Sequence, residues 1–106
     1  INRQALQTLS LARRAGELIF GFSKVEEQIR GHKAYIYLIA NDASDNGREK
    51  LERLAKHQDI AVIDQWSSAE LSSAIGEDNT MHICLTQGGL AQNLLDLETK
   101  LKRMNG

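Results

Sequence analysis

Residues 34–44 read Ala34-Tyr35-Ile36-Tyr37-Leu38-Ile39-Ala40-Asn41-Asp42-Ala43-Ser44. The first seven are almost continuously apolar, β-branched or aromatic. A strand with one wet face alternates apolar and polar side chains, so this run predicts a central strand covered on both faces. Covering both faces takes helices above and below the sheet, and this stretch therefore decides for an α/β fold. Asn41-Asp42 close the strand, and Ser44 is placed to cap the next helix.

Working outward, the spacing predicts a helix over Asn2–Arg14 with Ala5, Leu6, Leu9 and Ala12 on one face, stopped by Gly16. A short strand, Glu17–Phe20, leads to Gly21. A second helix starts at Phe22 or Ser23, carries Val25 and Ile29, and ends at Gly31. Beyond Ser44, Leu51, Leu54 and Ala55 form the buried stripe of a third helix, and Ile60–Ile63 is the next strand. Ser67-Ser68-Ala69-Glu70 is a capping box that opens a helix through Leu71, Ala74 and Ile75, closed by Gly76. Met81–Leu85 is the last strand, and Leu90, Leu94, Leu97 and Leu101 mark a final helix from about Gly89 to Met104. Helix and strand alternate throughout, without repeat or linker, so residues 1–106 are expected to form one α/β domain with helices on both faces of the sheet.

Composition agrees. At 11.8 kDa, with 42% hydrophobic and 25% charged residues, the chain has ordinary globular values and is not compositionally disordered. No apolar run approaches the ~20 residues of a membrane span, and no secretory signal is present. The chain begins with Ile1 rather than Met, so it is expected to be a fragment of a longer protein. The single cysteine, Cys84, excludes an internal disulfide and suits a reducing, cytoplasmic setting. The net charge of −1 argues against a strong non-specific polyanion binder, but it hides an asymmetry. Residues 1–56 hold 10 Lys/Arg against 7 Asp/Glu, whereas residues 57–106 hold 3 against 7. Charge for a nucleic acid would come from the first half.

Catalytic and metal chemistry find little footing. His32, His57 and His82 are scattered; His82 and Cys84 share one face of a strand, but two ligands do not make a zinc site, and packing is the expected role. Cys84 reads as a small buried hydrophobe. Glu26-Glu27, Glu49 and Glu52 read as solvated helix faces. Asp42 stands where open α/β sheets place ligands, yet a helix-entry turn is the favoured reading. Gln87-Gly88-Gly89 lacks a phosphate-loop lysine and reads as a turn that starts a helix. Trp66, in a loop, either lids the core or offers a face for stacking on a base. Gly21-Phe22-Ser23-Lys24-Val25-Glu26 is a helix start, whose unpaired N–H groups and dipole favour an anion.

Taken together, Leu11-Ala12-Arg13-Arg14-Ala15-Gly16, Gly21, Ile29-Arg30-Gly31-His32-Lys33-Ala34 and Leu38-Ile39-Ala40-Asn41-Asp42-Ala43-Ser44 closely resemble the kink-turn RNA-binding ribosomal protein superfamily (L-seven-Ae and L-thirty-e type), in its bacterial branch. The likeness continues through Lys50, Ile60-Ala61-Val62, Ala69-Glu70-Leu71, Ala74-Ile75-Gly76 and Gly89-Leu90-Ala91. It implies a three-layer α/β/α sandwich around a mixed four-stranded sheet and binding to structured, kink-turn-like RNA, with ribosomal RNA as the expected partner. The second helix start would enter the RNA groove with Gly21, Phe22, Ser23 and Lys24. Gln65-Trp66-Ser67-Ser68 would add an apolar contact, and Asn41 and Asp42 would flank the same edge. Arg13, Arg14, Arg30 and Lys33 would meet the RNA backbone. Where kink-turn binders carry Asn-Glu or Lys-Gln, this chain has Ser23-Lys24, and Glu27 stands where they have a lysine.

The resulting expectation is a cytoplasmic RNA-binding module with no catalytic residues, metal, cofactor or membrane partner, behind an upstream nucleic-acid-binding domain. Its rivals are an interaction domain that keeps the fold without binding RNA, and a small phosphate-ligand-binding domain using Asp42 and Gly88-Gly89.

Overall fold

Local chemistry sets the element boundaries in the computed structural model, which describes residues 2–105. In chain order they are α1 (Asn2–Arg14), β1 (Leu18–Phe20), α2 (Phe22–Arg30), β2 (Ile36–Ile39), α3 (Asp45–His57), β3 (Ala61–Ile63), α4 (Ser68–Ile75), β4 (His82–Leu85) and α5 (Gly88–Asn105). The capping box forms as expected: the Glu70 N–H donates to Ser67 Oγ (3.2 Å), and the Ser67 N–H donates to Glu70 Oε1 (3.0 Å). Ser44 is the N-cap of α3, although its side chain makes no cap bond.

The four strands are ordered β1-β4-β2-β3, with β4 antiparallel to both neighbours and β2 parallel to β3. β1, β2 and β3 therefore point one way. β2 is buried at all four positions, and its side chains alternate between two cores. Ile36 and Leu38, with Ile83 and Leu85 of β4, pack with Ala5 and Leu9 of α1, Leu71 of α4 and Leu94 of α5. Tyr37 and Ile39, with Cys84, pack with Val25 and Ile29 of α2 and Leu51 and Ala55 of α3. The fold is the expected three-layer α/β/α sandwich, and each fully buried Leu or Ile contributes about 1.5–3 kcal/mol.

Two expectations change. The strand read over 34–40 narrows to Ile36–Ile39, and the Tyr35 side chain is 59% exposed. Backbone pairing still extends past both ends, through Tyr35 N–H to Leu85 O (2.8 Å) and Ala40 N–H to Met81 O (2.8 Å). Trp66 is the larger correction. It is 2% exposed and belongs to the cluster of Ile63 and Leu71, so it lids the core and has no ring face for a base. The capped helix starting at Ser68 leaves only a short loop after Ile63, and the ring packs into the core cluster from that loop.

Replacing Trp66 with Ala is expected to cost about 3–5 kcal/mol of folding stability, read from chemical denaturation. A loss below about 1 kcal/mol would place the ring at the surface after all.

Candidate functional site

Because β1, β2 and β3 run in parallel, their C-terminal ends and the start of β4 lie along one edge of the sheet. α2, α3 and α4 all begin there. The edge centres on Gly21, whose N–H donates to His82 O (3.0 Å) and whose carbonyl accepts from Val25 N–H (2.9 Å). Its φ of 98° is strained for any residue with a Cβ, which is why glycine opens this helix. No side chain caps α2, and its first turn holds no acidic residue. An uncapped start leaves N–H groups and positive potential facing outward, beside exposed Ser23 and Lys24.

Phe20 and Phe22 flank Gly21, and three cations rest over them. The Arg13 guanidinium is 5.0 Å and the Lys24 ammonium 6.0 Å from the Phe20 centroid, while Lys50 lies 5.7 Å from that of Phe22. Each contact contributes about 0.5–1 kcal/mol at an exposed site. Lys50 also pairs with Glu26 (3.0 Å), which holds Arg30 as well (3.0 Å). Hydrogen bonds from Lys50 and then Arg30 keep the Glu26 carboxyl below its usual range. Arg13 donates to Ile75 O and to the Glu77 carboxylate, tying α1 to the loop after α4.

That loop completes the site. Asp78, Asn79, Thr80, Met81 and His82 join Phe20, Gly21 and Phe22 around a pocket of about 430 Å³. The Thr80 hydroxyl, buried at the pocket, has no hydrogen-bond partner among the described residues. Beneath Phe22, the Tyr37 hydroxyl and His82 Nδ1 share a hydrogen bond of 2.7 Å, and the His82 ring meets Phe22 edge-on at 5.4 Å. Burial pushes His82 below and Tyr37 well above their ordinary values, so both are neutral near pH 7. Gly47 lets α3 approach this cluster: a Cβ there would lie 3.2 Å from the Phe22 ring. Cys84 shares their face of the sheet, and burial pushes its thiol up to about 12, which leaves it inert as a nucleophile.

The structure thus gathers Gly21, Phe22, Ser23, Lys24 and Arg13, with Lys50 and the 78–81 loop added. Arg30 ends α2 and Lys33 follows it, so both lie toward the opposite edge, as does Arg14 at the end of α1. Asn41, Asp42 and Ser67 are on the right edge but are engaged in holding two turns together. Asp42 Oδ1 accepts from Ser68 N–H (2.9 Å), the Asn41 N–H donates to Trp66 O (2.9 Å), and Asn41 Nδ2 donates to Gln65 O (3.4 Å). The loop beside the α2 start is therefore 76–81 rather than 65–68. Asp42 and Gly88-Gly89 lie on opposite edges, so the phosphate-ligand arrangement is not assembled. The described residues contain no group of three or more His, Cys, Asp and Glu able to hold a metal ion, and no helix among them is long and apolar enough to cross a membrane.

This arrangement has relatives. The ribosomal protein L7Ae/L30e/S12e/Gadd45 family matches residues 3–93. The chain is 38% identical over 77 residues to "RNA-binding protein YlxQ" of Enterococcus faecium, covering 72% of this chain and 75% of that protein. To the Bacillus subtilis protein of the same name it is 29% identical over 89 residues, covering 84% and 89%. The expected upstream domain finds no support in these relatives. Among solved structures, a Bacillus halodurans protein of unknown function superposes with a TM-score of 0.84 at 25% identity, covering 88% of this chain and 94% of that one. The Giardia lamblia 15.5kD RNA binding protein shares the fold, with a TM-score of 0.71 at 15% identity over 92% and 84% of the two chains.

Two outcomes follow from the geometry. Since folding holds His82 below its ordinary value of 6.5, the unfolded chain binds more protons below about that pH. Stability should fall as pH drops through this range, and His82→Gln should flatten the pH dependence of the urea midpoint. Asp42→Ala should cost about 1 kcal/mol in denaturation by removing the carboxylate from the α4 start.

Proposed function

The chain belongs to the ribosomal protein L7Ae/L30e/S12e/Gadd45 family, and on that premise we propose that it is a non-catalytic module that binds structured, kink-turn-like RNA through the edge where α2 begins. Ribosomal RNA in the cytoplasm is the proposed target. The observation that carries this reading is the uncapped α2 start at Gly21, ringed by Arg13, Lys24 and Lys50. A bent RNA backbone presents closely spaced phosphates, and the α2 N–H groups with Lys24 and Lys50 supply donors and positive charge to receive them. Arg13, held by Ile75 and Glu77, steadies the neighbouring loop.

Base recognition takes its own form here. Lys24 has donors only, so at a base edge it suits the O6 and N7 acceptors of guanine. Phe20, Phe22 and Met81 give the pocket its apolar wall, the part that Trp66 cannot play from the core, and Asp78 and Asn79 supply acceptors and an amide for a base edge.

Binding of the intact chain to a kink-turn RNA, with a straight duplex as control, is the test. Over about 50 to 200 mM salt, Lys24→Ala and Lys50→Ala should each weaken binding by about three- to tenfold and flatten the log–log salt slope by about 1. A wild-type protein that binds no structured RNA at low salt would overturn the reading in favour of an interaction domain.

A further inference from the structure

The opposite edge of the sheet carries a second set of groups that the proposed site does not use. β2 begins there, β4 ends there, and α1, α2 and α3 run toward it. At its middle stands Tyr35, 59% exposed, whereas Tyr37 and Trp66 are buried and Phe20 and Phe22 half-buried. Its N–H is fixed to Leu85 O (2.8 Å), and its ring lies on Gly88, where an added Cβ would come within 3.4 Å of Cε1. The glycine gives the ring a seat, and more than half of the residue stays open to solvent. Beside it opens a groove of about 750 Å³, lined by Gly16, Glu17, Gln87, Gly89, Leu90 and Asn93.

Exposed Lys33 precedes Tyr35 by two residues, and Arg14 and Lys56 stand exposed in the last turns of α1 and α3. The carboxylates on this side are exposed Asp59, exposed Glu27 further inside α2, and half-buried Glu17. Basic residues in last turns complement helix dipoles, which accounts for Arg14 and Lys56 but not for a seated, exposed aromatic between them. An aromatic anchor for a protein partner would be expected to have an apolar rim, whereas the groove beside Tyr35 has only Ala15 and Leu90 as apolar members and is otherwise lined by glycines, Glu17 and the amides of Gln87 and Asn93. A fixed aromatic face with flanking cations and amides is the chemistry of a stacking platform for single-stranded nucleic acid.

We propose that this edge is a second RNA contact, where Tyr35 stacks an unpaired base of a single-stranded segment and Lys33, Arg14 and Lys56 meet its phosphates. It rests on the reading of the chain as an RNA binder. Tyr35 and Ala40 are five residues apart along extended chain, about 17 Å, so a single strand leaving the RNA held at the α2 start has one face of the domain to cross.

The test compares fluorescence anisotropy of the intact chain on a blunt kink-turn RNA and on the same RNA with an oligouridine tail of about ten nucleotides. The tail should tighten wild-type binding by about tenfold. Tyr35→Ala should abolish that gain while leaving the melting temperature and the affinity for the blunt RNA unchanged, and Tyr35→Phe should keep it. Lys24→Ala should weaken both RNAs alike. Binding of the blunt RNA with no gain from the tail, or a gain that survives Tyr35→Ala, overturns the second contact and leaves the first standing; a protein that binds neither RNA overturns both.

Discussion

A strand buried on both faces constrains everything around it. Ile36 to Ile39 exclude water above and below, so the chain must supply helices to each side and pair the strand's N–H and C=O groups with neighbouring strands. The parallel partner β3 is reached by way of α3, while β4 inserts between β1 and β2 in the opposite sense. That insertion has a direct consequence: it brings the 76–81 loop, which leads into β4, beside the end of β1, and the candidate site exists because these two segments meet.

One polar pair inside this frame needs its own balance. Tyr37 and His82 are buried on adjacent strands, and either would be costly without the other. Bonded together they form a floor on which Phe22 stands edge-on, and Gly47 gives α3 room to close over it. The aromatic ring at the mouth of the site is thus placed by a hydrogen bond in the second core, and the cation on that ring, Lys50, comes from the helix packed there. Packing and site are continuous.

The two ends of the sheet differ in how their polar groups are used. At the edge where α2 begins, Asn41, Asp42 and Ser67 are occupied in joining turns, and Arg13 in fastening a loop. These residue types are ones that contact RNA in many proteins, and here their hydrogen bonds build the platform instead. What faces outward is the uncapped α2 start, Lys24, Lys50 and the pocket rim. At the other edge Tyr35 faces outward on its glycine seat.

Much of the architecture was legible in residue order. The unbroken apolar run at 36–39, the Leu and Ala stripes at helical spacing, Gly21 ahead of a helix and the Ser67–Glu70 box are local patterns, and local patterns act through backbone sterics and nearest-neighbour hydrogen bonds. The boundaries shifted by a residue or two where tertiary contacts decide them, as at Tyr35. The site was legible in part: Gly21 to Lys24 announce themselves by a glycine and an uncapped turn. Lys50 and residues 78–81 did not, because nothing in their own neighbourhood shows that β4 would lie against β1 or that α3 would pack on Phe22. Whether Trp66 faced a base or the core was equally undecidable from its loop, since burial is a property of what surrounds a ring. The sequence by itself determined the layers and the helix start, through interactions a few residues long. Only the tertiary structure decided which loop, which lysine and which aromatic face the solvent, because those choices belong to segments far apart in the chain that strand order brings together.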